Sequence, residues 1–421
     1  MNKKIAVIIL AAGKGERMKS ALPKVLHAVC RRPMLSFVLD MVKALKAKDV
    51  VSVLGYKHQE VSKFVSPGIK IALQKEIKGT ADAVKIALAH LKSFKGTVLV
   101  LYGDNPLLKE ETIKKLIKHH LDTGAHATLM TAKMEKPAGY GRILRDRYQS
   151  ICGIVEEKDA DDFQKAIKEI NTGIVCFNKD SLTGVLKYIK PNNIKKEYYL
   201  TDAIGLLYKK GSLVESLEIS DINEALGVNS RVELASANKI MQQRINEKLM
   251  KSGVTIIDPA TAFISFDAKI GADTTIYPFT VIENNVKIGK QCMVGPFIRL
   301  RKGTVLKDQV TAGNFLEISR SKLGYKTTAK HFGFLGDCRI GSSVNVGAGT
   351  VSANYDGKNK NITVIKDRAF IGSDSVLVAP VRIGKNARTG AGSVVTRNKN
   401  IPDGTTVVGV PARPIKRSTF K

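Results

Sequence analysis

The feature that most constrains this chain is a six-residue period in its second half. Aliphatic residues stand at Ile270, Ile276, Ile282, Ile288, Val294, Leu300 and Leu306, in unbroken phase. The phase returns at Ile340 and Val346, at Ile365, Ile371, Leu377 and Ile383, and at Val395, Ile401 and Val407. Glycine often follows the aliphatic position, as at Gly271, Gly289, Gly341, Gly372 and Gly384. A globular strand does not hold phase this long. A hexad repeat is the mark of a parallel β-helix, in which three hexads make one triangular coil and each aliphatic residue stacks on its equivalent one coil below. Residues 325–336 and 354–361 break the period and are expected to leave the coil as loops, which carry function on a rigid scaffold.

Upstream the pattern is different. From Arg231 to Lys251, Val232, Leu234, Ala235, Ile240, Ile245 and Leu249 fall at roughly helical spacing with charges between them, which predicts one long helix joining two domains. Before it, short apolar runs at 5–10, 50–54, 98–101, 127–131 and 174–177 alternate with helical patterns at 33–47, 80–91 and 110–123. That alternation predicts an α/β domain with a mostly parallel sheet and ligands at the strand C-termini. A length of 421 residues suits two domains. We expect one over 1–229, a linker helix over 230–252 and the β-helix over 253–421.

Three stretches of the first half carry chemistry. Leu10-Ala11-Ala12-Gly13-Lys14-Gly15-Glu16-Arg17-Met18, followed by Leu22-Pro23-Lys24, is a strand feeding a glycine-rich loop with three nearby cations, Lys14, Arg17 and Lys24. Free backbone N–H groups and cations there make a phosphate cradle; the bland alternative is a surface turn. The spacing is that of neither a Walker A loop nor a G-x-G-x-x-G fingerprint. In Leu73-Gln74-Lys75-Glu76 and Lys78-Gly79-Thr80-Ala81-Asp82, Thr80 is a candidate helix N-cap, and Gln74 could donate to and accept from a base edge. In Tyr102-Gly103-Asp104-Asn105-Pro106 a buried strand ends in a carboxylate, placed either to hold Mg²⁺ against phosphates or to cap a turn. The net charge of +30 favours anionic small molecules, and its lysines are spread along the chain without a nucleic-acid-binding motif. Five cysteines without close pairing predict reduced thiols, with neither a disulfide framework nor a zinc site. No apolar run of membrane-spanning length and no signal-like N-terminus occur, so a cytoplasmic protein without membrane insertion is expected.

In their order, L-A-A-G-K-G-x-R-M, L-P-K, L-Q-x-E-x-x-G-T-x-x-A and G-D-x-P-L resemble the sugar-1-phosphate nucleotidyltransferases. Gly139-Tyr140-Gly141-Arg142, Gly153-Ile154-Val155-Glu156-Glu157, Asn171-Thr172-Gly173 and Gly227-Val228-Asn229 narrow the resemblance to the N-acetylglucosamine-1-phosphate uridyltransferases over nearly all of 5–231. It implies a Rossmann-like domain in which Arg17 and Lys24 hold the triphosphate of UTP. It puts Leu10, Ala11, Ala12, Gly13, Gln74, Gly79, Thr80, Tyr102 and Gly103 around the nucleotide. Gly141, Glu156 and Asn171 would bind the sugar, and Asp104 and Asn229 would ligate Mg²⁺.

The hexads and the closing Gly409-Val410-Pro411-Ala412-Arg413-Pro414 resemble left-handed β-helix acyltransferases, which are trimers using acetyl-CoA at sites between subunits. The resemblance makes His331 the general base, oriented by Glu317. Arg301, Asn345, Ala348, Asn354, Tyr355, Lys360, Ser373, Ala391 and Arg413 would hold the acetyl acceptor and acetyl-CoA. Two positions depart from the family: Ser319 stands where it has Lys, and Phe334 where it has Tyr, with Arg320 beside the lost Lys. Taken together, the resemblance implies a homotrimeric, bifunctional enzyme of amino-sugar activation for peptidoglycan synthesis. It would acetylate glucosamine-1-phosphate and then couple the product to UTP. The alternatives are a uridyltransferase whose β-helix only trimerises it or acts on another acceptor, and a basic nucleic-acid-binding scaffold.

Overall fold

A run of aliphatic residues with no polar member asks to be buried on both faces. Ile5–Ala11 (β1) is so buried in the computed structural model, which describes residues 4–415. Its side chains alternate between two cores: Ala6, Ile8 and Leu10 enter one, Val7, Ile9 and Ala11 the other. The other main strands are Asp49–Leu54 (β2), Lys70–Leu73 (β3), Thr97–Tyr102 (β4), Ala127–Lys133 (β5), Gly141–Arg145 (β6), Ile151–Val155 (β7), Glu169–Asn178 (β8) and Val214–Glu218 (β9). The central sheet runs β9-β5-β8-β4-β1-β2-β3, and β6 and β7 form a flap paired to β8. All neighbours on that path are parallel except β8, which is antiparallel to both β4 and β5.

Helix α1 (Met34–Ala44) buries Leu35, Val38, Leu39 and Val42 in one core, where α3 (Glu110–Thr123) adds Ile113, Leu116 and Ile117. Helix α2 (Thr80–Leu88) covers the opposite core with Ala81, Ala83, Val84, Ala87 and Leu88. Thr80 is not the N-cap: Gly79 holds that position, and the Thr80 hydroxyl accepts from the Leu200 N–H at 2.9 Å. The capping reading fails because Gly79 takes a φ of 113°, and its ideal Cβ would lie 2.5 Å from the Tyr198 carbonyl oxygen, so only glycine fits there.

Helix α4 spans Arg231–Lys251 as the spacing predicts. The chain divides into one compact unit up to Ile240 and another from Met241. In the first unit Asn238 accepts from the Cys30 N–H at 2.8 Å. In the second, buried Asn246 donates to the carbonyls of Pro259 and Ala262, and Ile245 and Leu249 pack on the β-helix core.

The second unit is a three-faced parallel β-helix, with ladders starting at Thr255–Ile256, Phe263–Ile264 and Lys269–Ile270. We call these the first, second and third faces. Residues 354–361 leave the coil, as expected, and are closed by a bridge between Tyr355 and Lys360. Residues 325–336 do not. Thr328–Ala329 and Gly333–Gly336 are rungs of the first and second faces. The phase is lost there because the register Ala312↔Ala329↔Val346 advances one residue less per coil than Ile276↔Val294↔Ala312. Alanines in the inward positions hide the rungs further.

Candidate active sites

The phosphate loop leaves β1 at Ala11. Gly13 has nothing within 4 Å of its ideal Cβ, so the backbone there lies open to a ligand. Gly15 takes a φ of 71° and its ideal Cβ would fall 2.5 Å from Lys24 Cβ; glycine is what lets the Lys24 stem cross the loop. Lys24 Nζ then donates to Asp104 Oδ2 and, at 3.0 Å, to Asn229 Oδ1. Asp104 is buried just past the end of β4, and its carbonyl accepts from the Val228 N–H at 3.0 Å, which ties it to the segment carrying Asn229. Asn229 is further held through its own N–H by Glu233, at 2.7 Å in the first turn of α4. Two residues predicted as metal ligands thus converge on one cationic group. Among the described residues no cluster of three or more His, Cys, Asp or Glu could hold a metal. A divalent cation at Asp104 and Asn229 would take its other ligands from phosphate and water. Arg17 is exposed and makes no hydrogen bond or ion pair among the described residues.

Gln74 is buried, and both its amide hydrogens are engaged, by the Gly79 carbonyl at 3.1 Å and by Asp82 Oδ2 at 2.8 Å. It therefore cannot donate to a base as well as accept; only its carbonyl oxygen remains. Tyr102 pairs in register with Leu10, and its phenol is raised by burial foremost, then by Glu156 and Asp104. The Gly103 N–H bonds back to the Leu10 carbonyl at 2.9 Å.

The predicted sugar residues lie where the flap joins β8. Gly141 on β6 is paired in register with Asn171 on β8. The ideal Cβ of Gly141 would lie 3.5 Å from Glu156 Oε2, so the missing side chain leaves room beside that carboxylate. Burial raises Glu156 above the usual carboxylate range, partly offset by the Thr201 hydroxyl at 3.1 Å. Asn171 Oδ1 accepts from the Gly173 N–H at 3.0 Å. Arg142, unassigned from the sequence, is buried and paired with Glu157 at 2.7 Å, anchoring the flap.

In the β-helix, Ala329↔Val346↔Ile371↔Thr389 are consecutive first-face rungs. His331, Ala348, Ser373 and Ala391 each follow one of them by two residues, so they form one column along the same corner. His331 is exposed and makes no hydrogen bond among the described residues. It is not oriented by Glu317, whose Oε1 instead pairs with Arg301 at 2.8 Å; the permanently charged guanidinium is the stronger partner. Arg320 is held by Asp337 in a bidentate pair at 2.7 and 2.8 Å and donates to Ser319 Oγ at 2.8 Å. Asn354 donates to the same carboxylate, and Arg320 holds Asp337 below the ordinary carboxylate range. Arg320 is thus not free to replace the lysine missing at Ser319. Tyr355, Lys360 and Arg413 are exposed, and Asn345 accepts from the Thr328 hydroxyl at 3.1 Å.

A nucleotide-binding α/β unit followed by a hexapeptide β-helix defines a nucleotidyltransferase joined to an acyltransferase. Residues 7–169 match the MobA-like NTP transferase domain, and residues 267–299 and 362–397 match the bacterial transferase hexapeptide (six repeats). The chain is 42% identical to the bifunctional protein GlmU of Geobacillus sp. (strain WCH70), over 94% of this chain and 93% of that protein. It is 45% identical to that of Carboxydothermus hydrogenoformans, over 93% and 95%. It is 40% identical to that of Geobacillus thermodenitrificans, over 100% and 98%. The chain belongs to the GlmU family of bifunctional uridyltransferases and acetyltransferases. Among the described residues no helix is long and apolar enough to cross a membrane.

Proposed function

We propose that residues 1–229 couple UTP to N-acetylglucosamine-1-phosphate at the C-terminal edge of β1 and β4, and that residues 253–421 first make that sugar phosphate from glucosamine-1-phosphate and acetyl-CoA. The observation that carries the first part is the convergence of Lys24, Asp104 and Asn229 beside the open backbone at Gly13. In uridylyl transfer a phosphate oxygen of the sugar attacks the α-phosphorus of UTP. The bond to the leaving oxygen breaks, and pyrophosphate departs with the electron pair. No side-chain nucleophile is needed, so the residues act by positioning and by charge. Lys24 and the unpaired Arg17 offset the phosphate charge. Mg²⁺ held by Asp104 and Asn229 would neutralise phosphate oxygens. The Gln74 carbonyl accepts from the N3–H of uracil, a donor that cytosine lacks. Gly141, Glu156 and Asn171 take the sugar, with Glu156 accepting from a hydroxyl.

In acetyl transfer the amine attacks the thioester carbonyl, the C–S bond breaks, and His331 takes the amine proton. The corner column supports acetyl-CoA running along Ala348, Ser373 and Ala391 with its acyl end toward His331. Arg301, steadied by Glu317, serves the acceptor phosphate with Asn345 and Lys360. With Ser319 and Phe334 in place, acceptor binding is weaker than in relatives carrying Lys and Tyr there, by about ten- to a hundred-fold for one charged hydrogen bond. The enzyme works as a trimer in the cytoplasm, in keeping with cysteines that form no disulfide among the described residues.

A pyrophosphate-release assay coupled to acetyl-CoA consumption tests both halves. Asp104→Asn should lower uridylyl transfer by about a hundred-fold or more and leave acetyl transfer intact. His331→Ala should do the reverse. Near wild-type uridylyl transfer by Asp104→Asn at limiting Mg²⁺ would remove Asp104 from the site.

A further inference from the structure

The three faces of the β-helix differ in what they point outward. On the third face the register places Lys269, Lys287, Lys322, Arg339 and Arg382 at outward positions, five of the eight rungs from Lys269 to Asn400. All five are exposed, and none makes an ion pair among the described residues. The outward positions of the first face carry Arg388 and, on the closing antiparallel strand, Arg413. Those of the second carry Arg299, which is neutralised by Glu283 at 2.7 Å.

The turns leaving the third face widen the charge into a band. Lys307, Lys366 and Lys385 join Lys322 and Arg339 around a groove of about 800 Å³. The acids in those turns offset part of it, whereas the outward positions of the ladder itself carry no acid. Asp308, Asp367 and Asp403 each accept from a backbone N–H, at 2.9, 2.8 and 2.8 Å. At about 4.8 Å per rung, the column from Lys269 to Arg382 runs roughly 29 Å. Like charges on adjacent rungs repel. The repulsion between Lys269 and Lys287, and between Lys322 and Arg339, is lowered by an anionic partner lying along the face.

We propose that the third face docks on the surface of a bilayer containing anionic phospholipid. A flat prism face with a band of lysines matches a plane of headgroups. The outward positions of the ladder carry no aromatic side chain; the single exposed ring lining the groove, Tyr325, is already covered by Lys326 at 5.3 Å. With no row of stacking side chains and no helix or ribbon to enter a groove, the face suits a plane of headgroups better than nucleic acid. Binding is peripheral, and each cation at such a surface strengthens it about five-fold.

The test is flotation of the full-length protein with vesicles of phosphatidylcholine containing about one-third phosphatidylglycerol, and with phosphatidylcholine alone. Binding is expected to the mixed vesicles only, with release at about 0.5 M salt. The triple variant Lys269→Gln, Lys287→Gln, Lys322→Gln should lose about a hundred-fold in binding, with both transfer activities unchanged. A control of equal charge, Lys43→Gln, Lys48→Gln, Lys209→Gln, should stay within about three-fold of wild type. The proposal is overturned if the mixed vesicles do not bind, or if the control loses as much as the ladder variant. It is also overturned if a short duplex oligonucleotide displaces the protein from the vesicles at equal phosphate concentration.

Discussion

Gln74 is held in one orientation by its neighbours. Its amide nitrogen faces two acceptors, the Gly79 carbonyl and Asp82, so the amide cannot turn over without setting oxygen against oxygen. Asp82 thereby fixes the orientation in which Gln74 would meet the base we propose for it. Asp82→Ala should let the amide rotate and lower the ratio of kcat/KM for UTP over CTP by roughly three- to ten-fold, the worth of one hydrogen bond. Equal losses for both nucleotides, with the ratio unchanged, would show that Asp82 only supports the loop. The side chains we propose to touch substrate are the legible ones, because their types and order follow from the chemistry of phosphate and base. Their partners are not. Lys24 meets Asp104 and Asn229 across 80 and 205 residues of sequence, and nothing local announces those contacts. The Arg301–Glu317 pair is hidden for a related reason: Glu317 stands near both an arginine and a histidine, and only the fold decides which it meets.

At the scale of elements, β1, α3 and α4 are plain in the sequence because each has one dominant period or an uninterrupted apolar run. The β-helix is legible wherever large aliphatic residues fill the inward positions, and illegible where Ala312, Ala329 or Ser352 do. In that stretch the coil is stitched by polar groups instead. Arg320 at the end of one rung reaches Asp337 at the end of the next, and Asn354 shares the same carboxylate. Arg320 is 38% exposed, so solvent screens the pair, and about 1 kcal/mol is a fair measure of its worth. Arg320 holds Asp337 below its unfolded value. The stabilisation is therefore present above about pH 4 and is lost as the pH falls through the lower folded value. Arg320→Ala should lower the urea midpoint at pH 7, and the gap from wild type should narrow toward pH 2. The variant should bind glucosamine-1-phosphate as wild type does, because Arg320 is engaged elsewhere. A ten-fold rise in KM for that substrate would return Arg320 to the phosphate site.

For the whole molecule, the three faces of the prism divide the work. The third is cationic, and two copies meeting through it would set like charges against each other. Along the corner between the first and second faces, Phe279, Phe297 and Phe315 stack at 4.8 and 5.0 Å and are 51%, 45% and 67% exposed. The second face continues with outward, half-buried Phe334, Val351, Val376 and Val394. An apolar strip of this extent suits the trimer interface we propose. The strip runs alongside the column from His331 to Ala391, so a neighbouring copy seated on it would wall the acetyl site. Light scattering of the full-length protein is expected to show three chains per particle. Replacing Phe297 and Val376 together by Glu should disperse the particle by burying unpaired charge at its seam. Acetyl transfer should fall with assembly, while uridylyl transfer, whose proposed residues all lie in the first unit, should persist. A wild-type protein that is a monodisperse monomer and still transfers acetyl groups would show that one chain completes the site alone.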